Sequence, residues 1–185
     1  MAFDRLFLDS FNQETLEDVL SAACGIRPEQ LLVNMSHTHA GPRVSRWAYS
    51  GMASPAYIES VIAAAKRVAL TAMKEPVAVT CVAGEGETDI PLSRRLIDGT
   101  GIAQWGPSPS EPVCRALPFV CFQDGSGKVL SILFSVSCHP SMIYSNDVSA
   151  DFPGAAVRCL NAHYKTQGAI FLQGAGGDSK PRIIG

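Results

Sequence analysis

Three apolar runs in this chain have the composition of β-strands, and each stops at a short polar cluster that carries chemistry. Leu31-Leu32-Val33-Asn34-Met35 runs into Ser36-His37-Thr38-His39-Ala40-Gly41-Pro42, residues 129–138 run into His139-Pro140, and Ala169-Ile170-Phe171-Leu172 runs into Gln173-Gly174-Ala175-Gly176-Gly177-Asp178. In open α/β sheets ligands bind beyond the carboxyl ends of strands, so this pattern restricts both the fold and the place of a site. Side chains at i and i+2 of a strand share a face, so His37 and His39 are expected to project together, about 7 Å apart at Cα. Gly41-Pro42 ends that strand.

The segments between these runs read as helices and hairpins. Residues 13–23 carry Leu16, Val19, Leu20 and Ala23 at helical spacing, with Asn12 as N-cap and Gly25 as the C-terminal stop. Ser54-Pro55 opens a second helix whose apolar stripe is Ile58, Val61, Ile62, Ala65, Val68, Ala69 and Met73. Residues 77–83 read as a strand, and residues 117–123 and 128–137 flank Asp124-Gly125-Ser126-Gly127 as a hairpin. A third helix spans residues 153–165, approached through Ser149-Ala150-Asp151. Residues 89–118, rich in Gly and Pro, are expected to be a long irregular loop, a kind of segment that often carries function. The sum is an α/β fold: a mixed β-sheet flanked by helices, with one β-hairpin and one long loop.

At 185 residues and 46% hydrophobic content the chain suits one well-buried domain covering residues 1–185. A net charge of −2 without a basic block excludes nucleic acid and anionic membranes as partners drawn by long-range attraction. Apolar stretches break within about ten residues, short of the roughly 20 that a membrane helix needs, so no transmembrane segment is expected. Residues 1–9 lack the order of a signal peptide and read as a strand, which leaves the compartment open. Cys24, Cys81, Cys114, Cys121, Cys138 and Cys159 show no CxxC spacing and read as buried free thiols.

His37 and His39, joined by His139, read as a divalent-metal site: one imidazole binds the ion while the other binds it too or contacts substrate. Zinc suits imidazole ligands, and a catalytic zinc keeps one position open for water, whose pKa falls towards neutrality. His163 lies in a helix of small and polar residues and reads as a surface or packing residue. Gly174 to Lys180 superficially resembles a phosphate loop, but the Walker pattern needs Gly directly before Lys-Ser/Thr, so a turn lining the site fits better. Glu85, Glu87 and Asp89 alternate as on a solvated strand edge. Arg94 and Arg95 offer guanidinium groups able to grip an oxyanion or carboxylate.

In order along the chain, Ser36-His37-Thr38-His39-Ala40-Gly41-Pro42, Leu92-Ser93-Arg94-Arg95, Cys138-His139-Pro140 with Ser149-Ala150-Asp151-Phe152-Pro153-Gly154, and the segment from Gln173 to Arg182 resemble the motifs of the neutral/alkaline ceramidase family. The resemblance spans Leu6 to Arg182. It implies that His37 and His139 are zinc ligands, that His39 contacts the reacting amide, and that Arg94 lies beside the substrate, with Asp178 as a further catalytic candidate. The implied function is zinc-dependent hydrolysis, through metal-activated water, of N-acylated amines such as ceramide-like lipid amides. Lys180 stands where the family has a functional serine, with Ser179 one place early. Family members add a strand before this region and a continuation after it that supplies a glutamate and a tyrosine to the zinc. The resemblance therefore implies part of a larger catalytic domain; Tyr144, Asp147, Asp151 or Asp178 are local groups able to complete the shell, with no spacing that singles out one of them. The alternative is a non-catalytic fragment or pseudoenzyme with an incomplete metal site. Apolar surface left uncovered predicts assembly into a homo-oligomer.

Overall fold

A computed structural model describes residues 1–45 and 53–183. Its architecture is α/β, as the alternation of strands and helices predicts, and the order is β1 (Ala2–Phe3), α1 (Ser10–Cys24), β2 (Asn34–Met35), α2 (Pro55–Ala72), β3 (Thr80–Glu87), β4 (Pro91–Ile97), β5 (Ala103–Ser108), β6 (Ala116–Gln123), β7 (Val129–Val136), α3 (Asp151–Tyr164), β8 (Ala169–Gln173) and β9 (Ser179–Pro181). The main sheet has the order β3-β6-β7-β8 and is mixed. β3, β6 and β7 pair antiparallel, whereas β7 and β8 are parallel, in register at Phe134 with Phe171 and Val136 with Gln173. That parallel pair requires a crossover, which α3 supplies.

β7 alternates strictly: Ile132, Phe134, Val136 and then Cys138 are buried, with half-buried residues between them. Its buried face packs with Phe152 and Phe171 and is flanked by Ala156, Val157 and Leu160 of α3. Phe171 meets Phe134 and Phe152 edge-on, at 5.6 and 5.8 Å between ring centroids, the geometry that aromatic quadrupoles favour. This core holds the carboxyl ends of β7 and β8 in place.

Helix α1 begins one turn earlier than its apolar spacing indicates. Asp9, not Asn12, is the N-cap: its carboxylate accepts from the backbone N–H of Asn12 at 3.0 Å. Gly25 ends the helix at φ 64, a left-handed position that glycine takes without strain. α1 packs on α2 through Leu16, Leu20 and Ala65. The α2 stripe is only partly covered, since Val68 is 61% and Met73 50% exposed.

Residues 89–118 are a correction to the sequence reading. The segment is mostly ordered strand: β4 and β5 form a hairpin, and β9 pairs antiparallel with the other edge of β4. The prolines sit where strands tolerate them, Pro91 at a strand start and Pro107 on the edge strand β5. The turn is set by Asp98, whose carboxylate accepts from Thr100 N, Thr100 Oγ1, Ile102 N and Gln104 Nε2. These bonds hold Asp98 well below the usual carboxylate pKa.

The first strand run is shorter than expected. Only Asn34 and Met35 are β-structure, paired in parallel with Ala2 and Phe3. The Asn34 side chain joins this small pair to the main sheet, donating to Phe171 O at 3.1 Å and accepting from Gln173 N at 3.0 Å. The segment carrying His37 is thereby brought to the carboxyl end of β8. Among the described residues all six cysteines are free, but Cys81, Cys114 and Cys159 are exposed and only Cys138 is fully buried. No helix among the described residues is long and apolar enough to cross a membrane.

Candidate metal centre

His37 lies outside any strand, at φ 65, so the two-residue strand spacing is not what aims the histidines. Non-glycine residues pay for this conformation and keep it only where surrounding contacts hold them. Here the backbone N–H of His37 donates to Arg5 O at 2.9 Å, and its Nδ1 donates to Leu6 O at 2.8 Å. The second bond fixes the tautomer: with the proton on Nδ1, Nε2 presents a lone pair. Metal-ligating histidines are commonly held in this way.

His139 lies just past the end of β7, after Ser137 and Cys138, and its loop is tied to the first histidine segment by His39 N donating to Pro140 O at 3.2 Å. The three rings converge. Centroids lie 4.6 Å apart for His37 and His139, 4.8 Å for His39 and His139, and 5.6 Å for His37 and His39. One ligand atom from each lies within 4.8 Å of the others, and His39 Nε2 and His139 Nε2 stand 2.8 Å apart, within hydrogen-bonding distance. Burial lowers the pKa of His39, with the charges of His37 and Arg94 adding to the effect and Asp151 opposing it. Burial, then Arg94 and the two neighbouring imidazoles, push His139 down to about 4. Both rings are therefore neutral at physiological pH, which is the state that binds metal.

Arg94 occupies the β-bulge between Ser93 and Arg95 in the pairing of β4 with β5. Bulges re-aim side chains, and this one turns the guanidinium onto the turn after β8. Nε and Nη2 donate to Gly177 O at 3.0 and 2.7 Å, while the guanidinium carbon stands 4.0 Å from the centroid of the Trp105 ring. Nη1 makes no hydrogen bond among the described residues, which leaves it for a ligand. Burial lowers the pKa of the Arg94 guanidinium and the charge of Asp178 opposes that shift, while the backbone carbonyl of Asp178 accepts the Arg94 backbone N–H at 3.0 Å. No carboxylate belongs to the histidine cluster among the described residues.

Gly174 and Gly176 serve close approach. A Cβ on Gly174 would meet Ser137 Oγ at 2.7 Å, and one on Gly176 would meet the carbonyl carbon of Cys138 at 2.7 Å. The turn thus packs on the backbone just before His139, as a site-lining turn should. Ser179 is fully buried and donates to Ser137 O at 2.7 Å, which commits it to structure. Tyr144 is 72% exposed, and Asp147 caps Ser145 locally. His163 meets Tyr164 edge-on at the end of α3, far along the helix from the cluster. Glu85 and Glu87 are exposed on the edge strand β3, and Asp89 pairs with Arg115. Sequence reading missed Leu6, whose contribution is a backbone carbonyl, and Trp105, hidden in a segment read as irregular.

A ring-nitrogen cluster on the carboxyl ends of a mixed α/β sheet, with a guanidinium beside it, defines a candidate metal centre. No protein-family model and no curated protein sequence matches the chain. Among solved structures it superposes on neutral ceramidase from Pseudomonas aeruginosa with a TM-score of 0.69, at 15% identity, over 90% of this chain and 29% of that one. It also superposes on a ceramidase complexed with C2, with a TM-score of 0.72, at 18% identity, over 91% of this chain and 29% of that one. The fold is ceramidase-like, and the chain spans less than a third of the length of these relatives.

Proposed function

We propose that this chain carries the metal-binding part of a zinc-dependent amide hydrolase of ceramidase type, acting on N-acylated amines. The observation that carries the reading is the convergence of three imidazoles within 4.8 Å on strand ends, with the Arg94 guanidinium beside them. His37 and His139 would hold the ion. The fit rests on the Leu6 carbonyl, which leaves His37 Nε2 unprotonated, and on burial, which keeps His139 neutral. A bound zinc ion supplies Lewis acidity and acidifies water at neutral pH.

The chain's own groups then have separable tasks. His39 Nε2, already within hydrogen-bonding distance of His139, holds or passes a proton at the amide. Arg94 directs Nη1 at the developing oxyanion, its other donors being spent on Gly177 O. The charge of Asp178 supports the protonated state of Arg94. The substrate class comes from the ceramidases that share the fold.

The test is calorimetric zinc titration together with hydrolysis of a short-chain fluorescent N-acyl amine, with and without a chelator. Near-stoichiometric zinc and chelator-sensitive turnover support the reading, and absence of zinc binding refutes it. A second reading, a metal-binding chain without turnover, is favoured by a cluster made of histidines alone, with no carboxylate among the described residues to complete it. Zinc binding without hydrolysis distinguishes it.

A further inference from the structure

Both histidine-bearing loops are tied to one short stretch, residues 149–151. On one side Ser149 O accepts from Thr38 Oγ1 at 2.9 Å, and Ser149 N donates to Ala40 O at 3.0 Å. Thr38 and Ala40 flank His39, and Thr38 is fully buried, its Oγ1 also accepting from Ala40 N at 3.2 Å. On the other side Asp151 Oδ2 accepts from Met142 N at 2.8 Å and Ile143 N at 2.9 Å, in the loop that follows His139. Ser149 Oγ accepts from Asp151 N at 3.0 Å, which links the two halves.

Asp151 is only 6% exposed and has φ 56. A non-glycine residue held there costs about 1–3 kcal/mol, so neighbouring bonds must hold it. A capping aspartate spends its carboxylate on its own first turn. Asp151 gives that turn one bond, from Phe152 N at 2.7 Å, and gives two to the loop behind it. The carboxylate is therefore used to hold the His139 loop, through charge-assisted bonds that are stronger than neutral ones.

We propose that Thr38 and Asp151 are positioning residues that clamp the segment carrying His37 and His39 against the loop of His139 and so set the spacing of the metal centre. The proposal rests on the metal-site reading above. Polar partners behind metal ligands typically change metal affinity by about 10- to 100-fold when removed.

The variants are Thr38→Val, which keeps shape and removes the hydroxyl, Thr38→Ser, which restores it, and Asp151→Asn. Zinc affinity is measured by calorimetry and ligand symmetry by the visible spectrum of the cobalt-substituted protein. In the metal-free protein, long-range 1H–15N imidazole spectra report the hydrogen bond between His39 Nε2 and His139 Nε2. The expected result is a fall of about 10- to 100-fold in zinc affinity for Thr38→Val and Asp151→Asn, an altered cobalt spectrum, and recovery in Thr38→Ser. Wild-type affinity in folded Thr38→Val and Asp151→Asn overturns the clamp. Should the wild type bind no zinc, the functional reading fails, and the clamp is judged on the metal-free spectra: loss of the His39–His139 hydrogen bond in both variants upholds it, and an unchanged signal in either folded variant overturns it. Should Asp151→Asn not fold, the Thr38 pair decides by the same criteria.

Discussion

Adding one methyl group at Gly176 should damage both stability and the metal centre, while the same change one residue later should do neither. A Cβ at Gly176 would stand 2.7 Å from the carbonyl carbon of Cys138, 2.8 Å from Gln173 Nε2 and 3.0 Å from Cys138 O. Two of these atoms are backbone and cannot rotate away. Ordinary contact begins near 3.4 Å, so the turn and the end of β7 must part by about 0.7 Å. The same movement strains the Gln173 Nε2 bond to Cys138 O, now 3.0 Å, and displaces the peptide that carries His139. Overpacking of this kind costs about 1–3 kcal/mol. For a chain of this length each kcal/mol lowers Tm by about 2–4 °C, so Gly176→Ala should melt roughly 2–12 °C below wild type. At Gly177 a Cβ meets nothing within 4 Å, and its carbonyl, which holds Arg94, is unaffected. Gly177→Ala should be neutral or slightly stabilising, by up to about 1 kcal/mol, through the unfolded chain. Thermal melts by circular dichroism and zinc titration of the three proteins are sufficient. Equal Tm values for the two variants, or full zinc affinity in Gly176→Ala, would refute the close-approach argument.

Three further outcomes are expected. His37→Ala and His139→Ala should abolish zinc binding seen by calorimetry, whereas His39→Ala should retain most of it and lose turnover; equal loss in all three would make His39 a ligand. In the metal-free protein His139 should titrate near 4, well below the ordinary value. Between about 6.5 and 4 the unfolded chain then binds a proton that the folded chain does not, so stability falls as pH drops through that window. Denaturation curves at several pH values, with His139→Asn as the comparison, check this; an unchanged pH slope in the variant contradicts it. Arg94→Lys should leave zinc affinity intact but cut hydrolysis, because a lysine cannot reproduce both bonds to Gly177 O and the stacking on Trp105. Undiminished kcat/KM would remove Arg94 from the reacting centre.

Local chemistry sufficed for much of this chain. Alternation in residues 129–138 determines β7, the Asp-Gly-Ser-Gly turn determines the β6–β7 hairpin, and Ser54-Pro55 and Gly25 mark helix ends, because periodicity, proline and glycine act within a few residues of themselves. The histidines were also visible as candidates, since each follows an apolar run. What tertiary structure decided is how they meet. The turn at His37 depends on the carbonyls of Arg5 and Leu6, some thirty residues away, and β2 reaches the main sheet through the amide of Asn34 bonded to Phe171 and Gln173. β4 was hidden because its partners β5 and β9 lie on either side of it in space while β9 is distant in sequence, so its strand character comes from pairing rather than composition. Asp151 shows the limit most clearly. Its sequence position marks the start of a helix, but a buried carboxylate must find its donors, and those are in the loop after His139, which only the folded chain brings within 3 Å.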